Sequence, residues 1–174
     1  NVDVSGGSKR LKYFVSAGYF TQDGMVKDFG TKDSGVNSNY FYRRFNYRTN
    51  IDFAVTDNLS MRLDISSRFM NINEPCNMNA TGEIYDFSKM HPYSAPVLNP
   101  NGSYAYLSDT EGYKPTLNAR LANEGYTRTR RFDSNILFDV SQNFDFITKG
   151  LSGIMRVAYS SVDENYRAMK RDKT

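Results

Sequence analysis

Between Arg44 and Met70 the chain alternates apolar and polar positions with a period of two, broken only at Thr56-Asp57-Asn58. One set reads Phe45, Tyr47, Thr49, Ile51, Phe53 and Val55, then Leu59, Met61, Leu63, Ile65, Ser67 and Phe69, with no charge among them. The other reads Arg44, Asn46, Arg48, Asn50, Asp52 and Ala54, then Ser60, Arg62, Asp64, Ser66, Arg68 and Met70. Successive side chains of a strand point to opposite faces, so the pattern predicts a hairpin that is oily on one side and ionic on the other. Each arm reaches the roughly 9 to 11 residues that a tilted strand needs to cross a bilayer, against about 5 to 6 for an ordinary strand.

The same period recurs on both sides of this hairpin. Val2 and Val4 mark a short first strand, Ser5-Gly6-Gly7-Ser8 is expected to turn it, and Leu11, Tyr13, Val15, Ala17 and Tyr19 form the apolar edge of a second strand. Further on, Phe132, Ser134, Ile136, Phe138 and Val140 alternate with Arg131, Asp133, Asn135 and Asp139. The partner of that strand is expected from about Leu151 to Ser161, with Met155, Val157 and Tyr159 on the apolar side and one helical turn, Phe144 to Lys149, in between. Six strands in three hairpins result, an all-β antiparallel arrangement. The connections are expected at residues 5–8, 21–40, 56–58, 71–127 and 141–150, so the long ones fall at one end. Outer-membrane barrels have short periplasmic turns and longer external loops, which places 21–40 and 71–127 outside the cell. Within 71–127 the segments Gly82 to His91 and Pro115 to Asn123 carry helix-like spacing.

Hairpin register follows from the short turn. With Val55 opposite Leu59, Phe53 meets Met61, Ile51 meets Leu63, Asp52 meets Arg62, and Arg48 lies diagonal to Asp64. Opposed charges contribute about 0.2 to 1 kcal/mol per pair, whereas a slip of one residue turns the whole ionic set into hydrocarbon. The apolar surroundings therefore hold the register more firmly than the ion pairs do.

Composition is compatible with strands in a membrane. Twenty-two basic and 19 acidic residues leave a net charge of +3. No run of 18 apolar residues exists for a spanning helix, and a barrel keeps its mean hydropathy low because its inward half is polar. Aromatics, all Tyr and Phe, cluster at expected strand ends in Tyr13, Phe14, Tyr19 and Phe20 and in Tyr40, Phe41 and Tyr42, where an interfacial girdle would sit. The dispersed charge gives no basic patch for nucleic acid. The single cysteine, Cys76, has no disulfide partner and reads as an incidental loop thiol. A chain starting at Asn1 without a leader is expected to be a piece of a larger protein. Six strands also fall short of the 8 in the smallest barrels of this type.

Val4-Ser5-Gly6-Gly7-Ser8, Tyr13-Phe14-Val15-Ser16-Ala17-Gly18-Tyr19-Phe20 and Gln22-Asp23-Gly24 resemble the barrel of SusC/RagA-type TonB-dependent outer-membrane transporters of the Bacteroidota. Tyr42-Arg43-Arg44-Phe45-Asn46-Tyr47-Arg48, Asn99-Pro100-Asn101-Gly102-Ser103-Tyr104 and Asp145-Phe146-Ile147-Thr148-Lys149-Gly150-Leu151-Ser152 are similar to later parts of the same family. The resemblance implies that residues 1–174 belong to one barrel domain of about 22 strands, with the plug absent from this chain. It further implies uptake of oligosaccharides or peptides at the bacterial outer membrane, a SusD-like surface lipoprotein as partner, and coupling to TonB-ExbB-ExbD through the missing N-terminal part.

The candidate site residues follow from the face assignment. Arg44, Arg48, Asp52, Arg62, Asp64, Arg68, Arg131 and Asp133 are expected to line the lumen or to meet the plug. Tyr85, Tyr93, Tyr104, Tyr106 and Tyr113, in the long connection amid amides, are expected where a substrate or a lid would touch, since aromatic faces with nearby amides suit both sugars and peptides. No catalytic, metal or cofactor site is expected, and the chain is not read as an enzyme. His91 has Ser88 and Ser94 close in sequence but no acid to orient it. Ser5-Gly6-Gly7-Ser8 precedes a strand and not the helix that a phosphate cradle needs. Asp109 and Glu111 could contribute to an exposed calcium site, but carboxylates this sparse are more often ordinary solvated loop residues. The Asn-x-Ser/Thr triplets at Asn58, Asn79 and Asn101 read as chance matches. Two alternatives stand beside the importer: a passive porin-like pore, and a soluble carbohydrate-binding β-sandwich.

Overall fold

The computed structural model describes residues 1–24, 39–76, 85, 96, 98–103, 105–109, 112–115 and 125–170. Its strands are β1 (Val2–Gly7), β2 (Leu11–Asp23), β3 (Phe41–Ala54), β4 (Leu59–Pro75), β5 (Tyr106–Asp109), β6 (Gly112–Pro115), β7 (Gly125–Asn143) and β8 (Ser152–Lys170). Six of them form one open antiparallel sheet in the order β1-β2-β3-β4-β7-β8, and β5 and β6 pair separately. The six strands expected from the alternation are all present. Strands β2, β3, β4, β7 and β8 run 13, 14, 17, 19 and 19 residues, far beyond the usual strand length. Among the described residues no helix is long and apolar enough to cross a membrane, a statement that leaves strands untouched.

The β3–β4 register is the one the sequence indicates. Val55 N–H donates to the Leu59 carbonyl at 2.9 Å, and Arg62 Nε stands 3.7 Å from Asp52 Oδ1. Thr56 Oγ1 accepts from the backbone N–H of Asn58 and Leu59, which tightens the turn. Between Asn143 and Ser152 the helical turn is present: the Phe144 carbonyl accepts from Ile147 and Thr148, and Asp145 Oδ1 accepts from Gly150 N–H at 2.7 Å.

Elsewhere the strands depart from their expected ends. The first hairpin turns at Ser8, Lys9 and Arg10 and not at Ser5–Ser8: Ser8 N–H donates to the Leu11 carbonyl, and Gly6 and Gly7 pair with Tyr13 and Lys12 inside the ladder. The Tyr13 ring lies across Gly6, so a Cβ at that position would have to displace the end of that side chain. β4 continues to Pro75, β7 starts at Gly125 and β8 ends at Lys170, so the long connection is 76–124 and contains the β5–β6 hairpin. Pro115, expected to open a helix, closes β6. Apart from Tyr85 and Pro115, the helix-like segments Gly82 to His91 and Pro115 to Asn123 lie outside the described residues.

Two compact units divide the chain: residues 1–21, 43–71 and 130–165, and residues 22–42, 72–129 and 166–174. In the first, no hydrophobic side chain is buried among the described residues, and β3, β4, β7 and β8 show the oily and ionic faces described below. The second holds the buried hydrophobic residues Phe41, Cys76, Ala105 and Tyr126, and Asn73, which is fully buried. Gly125 begins β7 with φ +104, a conformation that disfavours any side chain, and a Cβ there would run into the Met169 carbonyl.

The ionic face as candidate functional site

Alternation carries most of the charged residues of β3, β4, β7 and β8 onto one face, and the pairing order decides which of them meet. On β3 and β4, Arg48 Nε donates to Asn50 Oδ1 at 3.1 Å, and the Asn50 amide donates to Asp64 Oδ1. Asp64 Oδ2 accepts from Arg62 Nε at 3.0 Å, and Arg62 also faces Asp52. The expected diagonal from Arg48 to Asp64 therefore runs through Asn50. Across β4, β7 and β8 a second group forms around Asp133, whose carboxylate accepts from Arg68 Nε at 3.1 Å and from Arg131 Nε at 2.7 Å. Arg131 stands 3.7 Å from Glu164 in turn. Asp139 takes both arms of the Arg156 guanidinium, at 2.7 and 2.9 Å, and Ser160 Oγ donates to Asn135. Bidentate and shared pairs of this kind hold adjacent strands in lateral register.

Seven of the eight charged candidates thus fall into two bonded groups. Arg44 is different: its guanidinium lies 5.5 Å from the centre of the Phe20 ring, and its Nε is buried without a hydrogen-bond partner. Sequence reasoning missed Asn50, Arg156, Ser160 and Glu164. Asn50 sat in the right alternation but carries no charge, and the β8 residues needed the register of β7 against β8. Between the groups runs a polar groove of about 550 Å³, with Asn46, Arg48, Arg68, Asp133, Asn135 and Ser160 on its walls. Its chemistry is that of donors and acceptors for hydroxyl, amide or carboxylate groups, with no nucleophile–base pair. Among the described residues no cluster of three His, Cys, Asp or Glu side chains could hold a metal ion.

Of the candidate loop tyrosines, Tyr85 is exposed. Tyr106 and Tyr113 lie in β5 and β6, and Tyr93 and Tyr104 lie outside the described residues. His91 also lies outside them, as does Glu111, while Asp109 pairs with Gly112 across the β5–β6 turn. Cys76 is buried and its N–H donates to the Gly125 carbonyl, so it is a packed residue at the end of β4 and not a loop thiol. A polar cluster that the sequence did not signal surrounds Asn73. Its amide donates to the Asn39 carbonyl at 2.7 Å, its Oδ1 accepts from Arg128, and the Arg128 guanidinium lies 4.9 Å from the Tyr126 ring centre.

The opposite face of the first unit is the counterpart of the ionic one. Phe45, Phe53 and Phe69 are 41%, 43% and 51% exposed although they occupy central strands. Phe69 stacks on Phe132 at 4.3 Å between ring centres and meets Phe45 at 6.5 Å, which makes a row of rings across β3, β4 and β7. Together the two faces define an all-β sheet with segregated surfaces. Compared with known proteins, the sequence matches no family model and no curated protein.

Proposed function

We propose that this chain is part of the barrel of a TonB-dependent outer-membrane importer of the SusC/RagA type, taking up oligosaccharides or peptides. In this reading the oily face meets lipid and the ionic face meets the lumen. The 76–124 connection lies outside the cell, under a SusD-like lipoprotein, and energy comes from TonB-ExbB-ExbD through a plug. No covalent chemistry is involved: a solute is captured under the external lid and passes once the plug moves.

One observation carries the reading. Central-strand phenylalanines lie open on one face while the opposite face is laced by charge pairs from strand to strand. In water the first face would forgo about 25 cal/mol for each Å² of apolar surface left wet, and exposed patches of that kind mark a lipid or protein contact. From Phe45 to Val55 the apolar set spans about ten residue steps, roughly 33 Å along the strand, which a tilt of ~40° reduces to the ~25 Å height of a barrel's apolar band. The outer edges of β1 and β8 call for further strands, because unsatisfied backbone groups in hydrocarbon cost several kcal/mol each.

The test is uptake by cells carrying the intact protein in their outer membrane. Oligosaccharide or peptide uptake is expected to stop when a protonophore collapses the inner-membrane potential. Uptake that continues unchanged identifies a passive pore, and recovery of the protein from the aqueous fraction without detergent identifies a soluble sandwich.

A further inference from the structure

On the oily face the row Tyr19, Phe45, Phe69 and Phe132 marks where apolar residues stop. Two residues further along their strands, Arg43 on β3, Asn71 on β4 and Arg130 on β7 come to the same face. They border a groove of about 450 Å³ whose floor is that aromatic row. Arg43 and Arg130 are both exposed. Neighbouring strands lie about 4.8 Å apart, so the two arginines flank Asn71 with backbones ~10 Å apart, a gap that two guanidinium groups can close around one tetrahedral anion. The Asn71 side-chain oxygen is buried and makes no hydrogen bond. Half a turn about χ2 puts its amide N–H groups in that place, as donors to the same anion.

We propose that this groove seats the phosphate of an anionic membrane lipid, with Arg43 and Arg130 on the phosphate and the acyl chain along Phe45, Phe69 and Phe132. The proposal rests on the membrane reading above. Charge and shape select the occupant: on this face Arg43 and Arg130 stand beyond the aromatic row, where headgroups would lie, and the floor is built of the rings of Tyr19, Phe45, Phe69 and Phe132. A free phosphate would use the arginines and leave the rings wet. Asp163, at the β8 side of the groove, keeps the anion toward β3 and β7 by repulsion.

The experiment uses the intact protein in phosphatidylcholine vesicles doped with spin-labelled phosphatidylglycerol or spin-labelled phosphatidylcholine. The immobilised fraction of each label gives the relative affinity of the protein surface for the two lipids. Wild type is expected to prefer phosphatidylglycerol, by about fivefold per participating arginine. Arg43→Gln/Arg130→Gln is expected to bring the ratio to about one, and Arg43→Lys/Arg130→Lys to keep most of it, which separates lost charge from lost folding. Protein that inserts but shows no preference, or whose preference survives in the glutamine variant, overturns the lipid site alone. Inorganic phosphate that abolishes the preference at constant ionic strength overturns the choice of lipid over free anion. Protein that stays in the aqueous phase overturns the membrane reading and this inference with it.

Discussion

The two faces of the sheet solve the same problem, holding long strands in register, by opposite means. On the ionic face the ties are directional: Asp133 gathers Arg68 and Arg131, Asp139 takes both arms of Arg156, and Asn50 links Arg48 to Asp64. On the oily face the ties are dispersive and broad, with Phe69 stacked on Phe132 and tilted against Phe45. Charged pairs open to water contribute little each, so their value lies in specificity of pairing, while the apolar side supplies the energy through whatever covers it. The asymmetry means that equivalent insults to the two sides have unequal effects.

The largest expected effect comes from placing charge on the oily side. Ile51→Arg is expected to cost about 2 to 4 kcal/mol in folding into bilayers, read as a lower denaturant midpoint, and an unchanged midpoint would break the comparison. Next is Phe69→Ala, which removes the middle ring of the row and both its partners' contacts. A loss of about 1 to 3 kcal/mol is expected in the same assay. Thr49→Val is smaller and opposite in sign. The Thr49 hydroxyl is buried on the oily face with no hydrogen-bond partner, so exchanging it for a methyl group is expected to add about 1 kcal/mol of stability. Smallest of all is Arg48→Ala on the exposed ionic side, expected to shift stability by less than about 0.5 kcal/mol. Its readout is solute passage, which changes while assembly does not; a collapse of assembly would give Arg48 a structural role.

How much of this was legible in the sequence depended on whether alternation was strict. From Arg44 to Met70 it was, and even the Asp52–Arg62 pairing could be written down in advance. Pairing between sequence-distant strands was legible only as a set of faces. That Asp133 would join Arg68 requires knowing that β7 lies beside β4 and in which register. The oily face also ends before β4 and β8 do: Asn71, Asn73, Asp163 and Asn165 bring polar side chains to the face that is apolar earlier in each strand, so those stretches read as loop. Gly6-Gly7 read as a turn because glycine pairs usually are one, whereas both pair within the β1–β2 ladder, with the Tyr13 ring lying across Gly6. The β5–β6 hairpin was hidden because Pro115 also suits a helix start.

Site-directed spin labels, with oxygen and nickel-chelate accessibility read at each position, test the central claim most directly. In the intact protein in bilayers, labels at Ile51 and Ile65 are expected to be reached by oxygen and shielded from nickel, and labels at Arg48 and Arg62 to show the reverse. Nickel access at Ile51 and Ile65 together with oxygen access at Arg48 and Arg62 would contradict it.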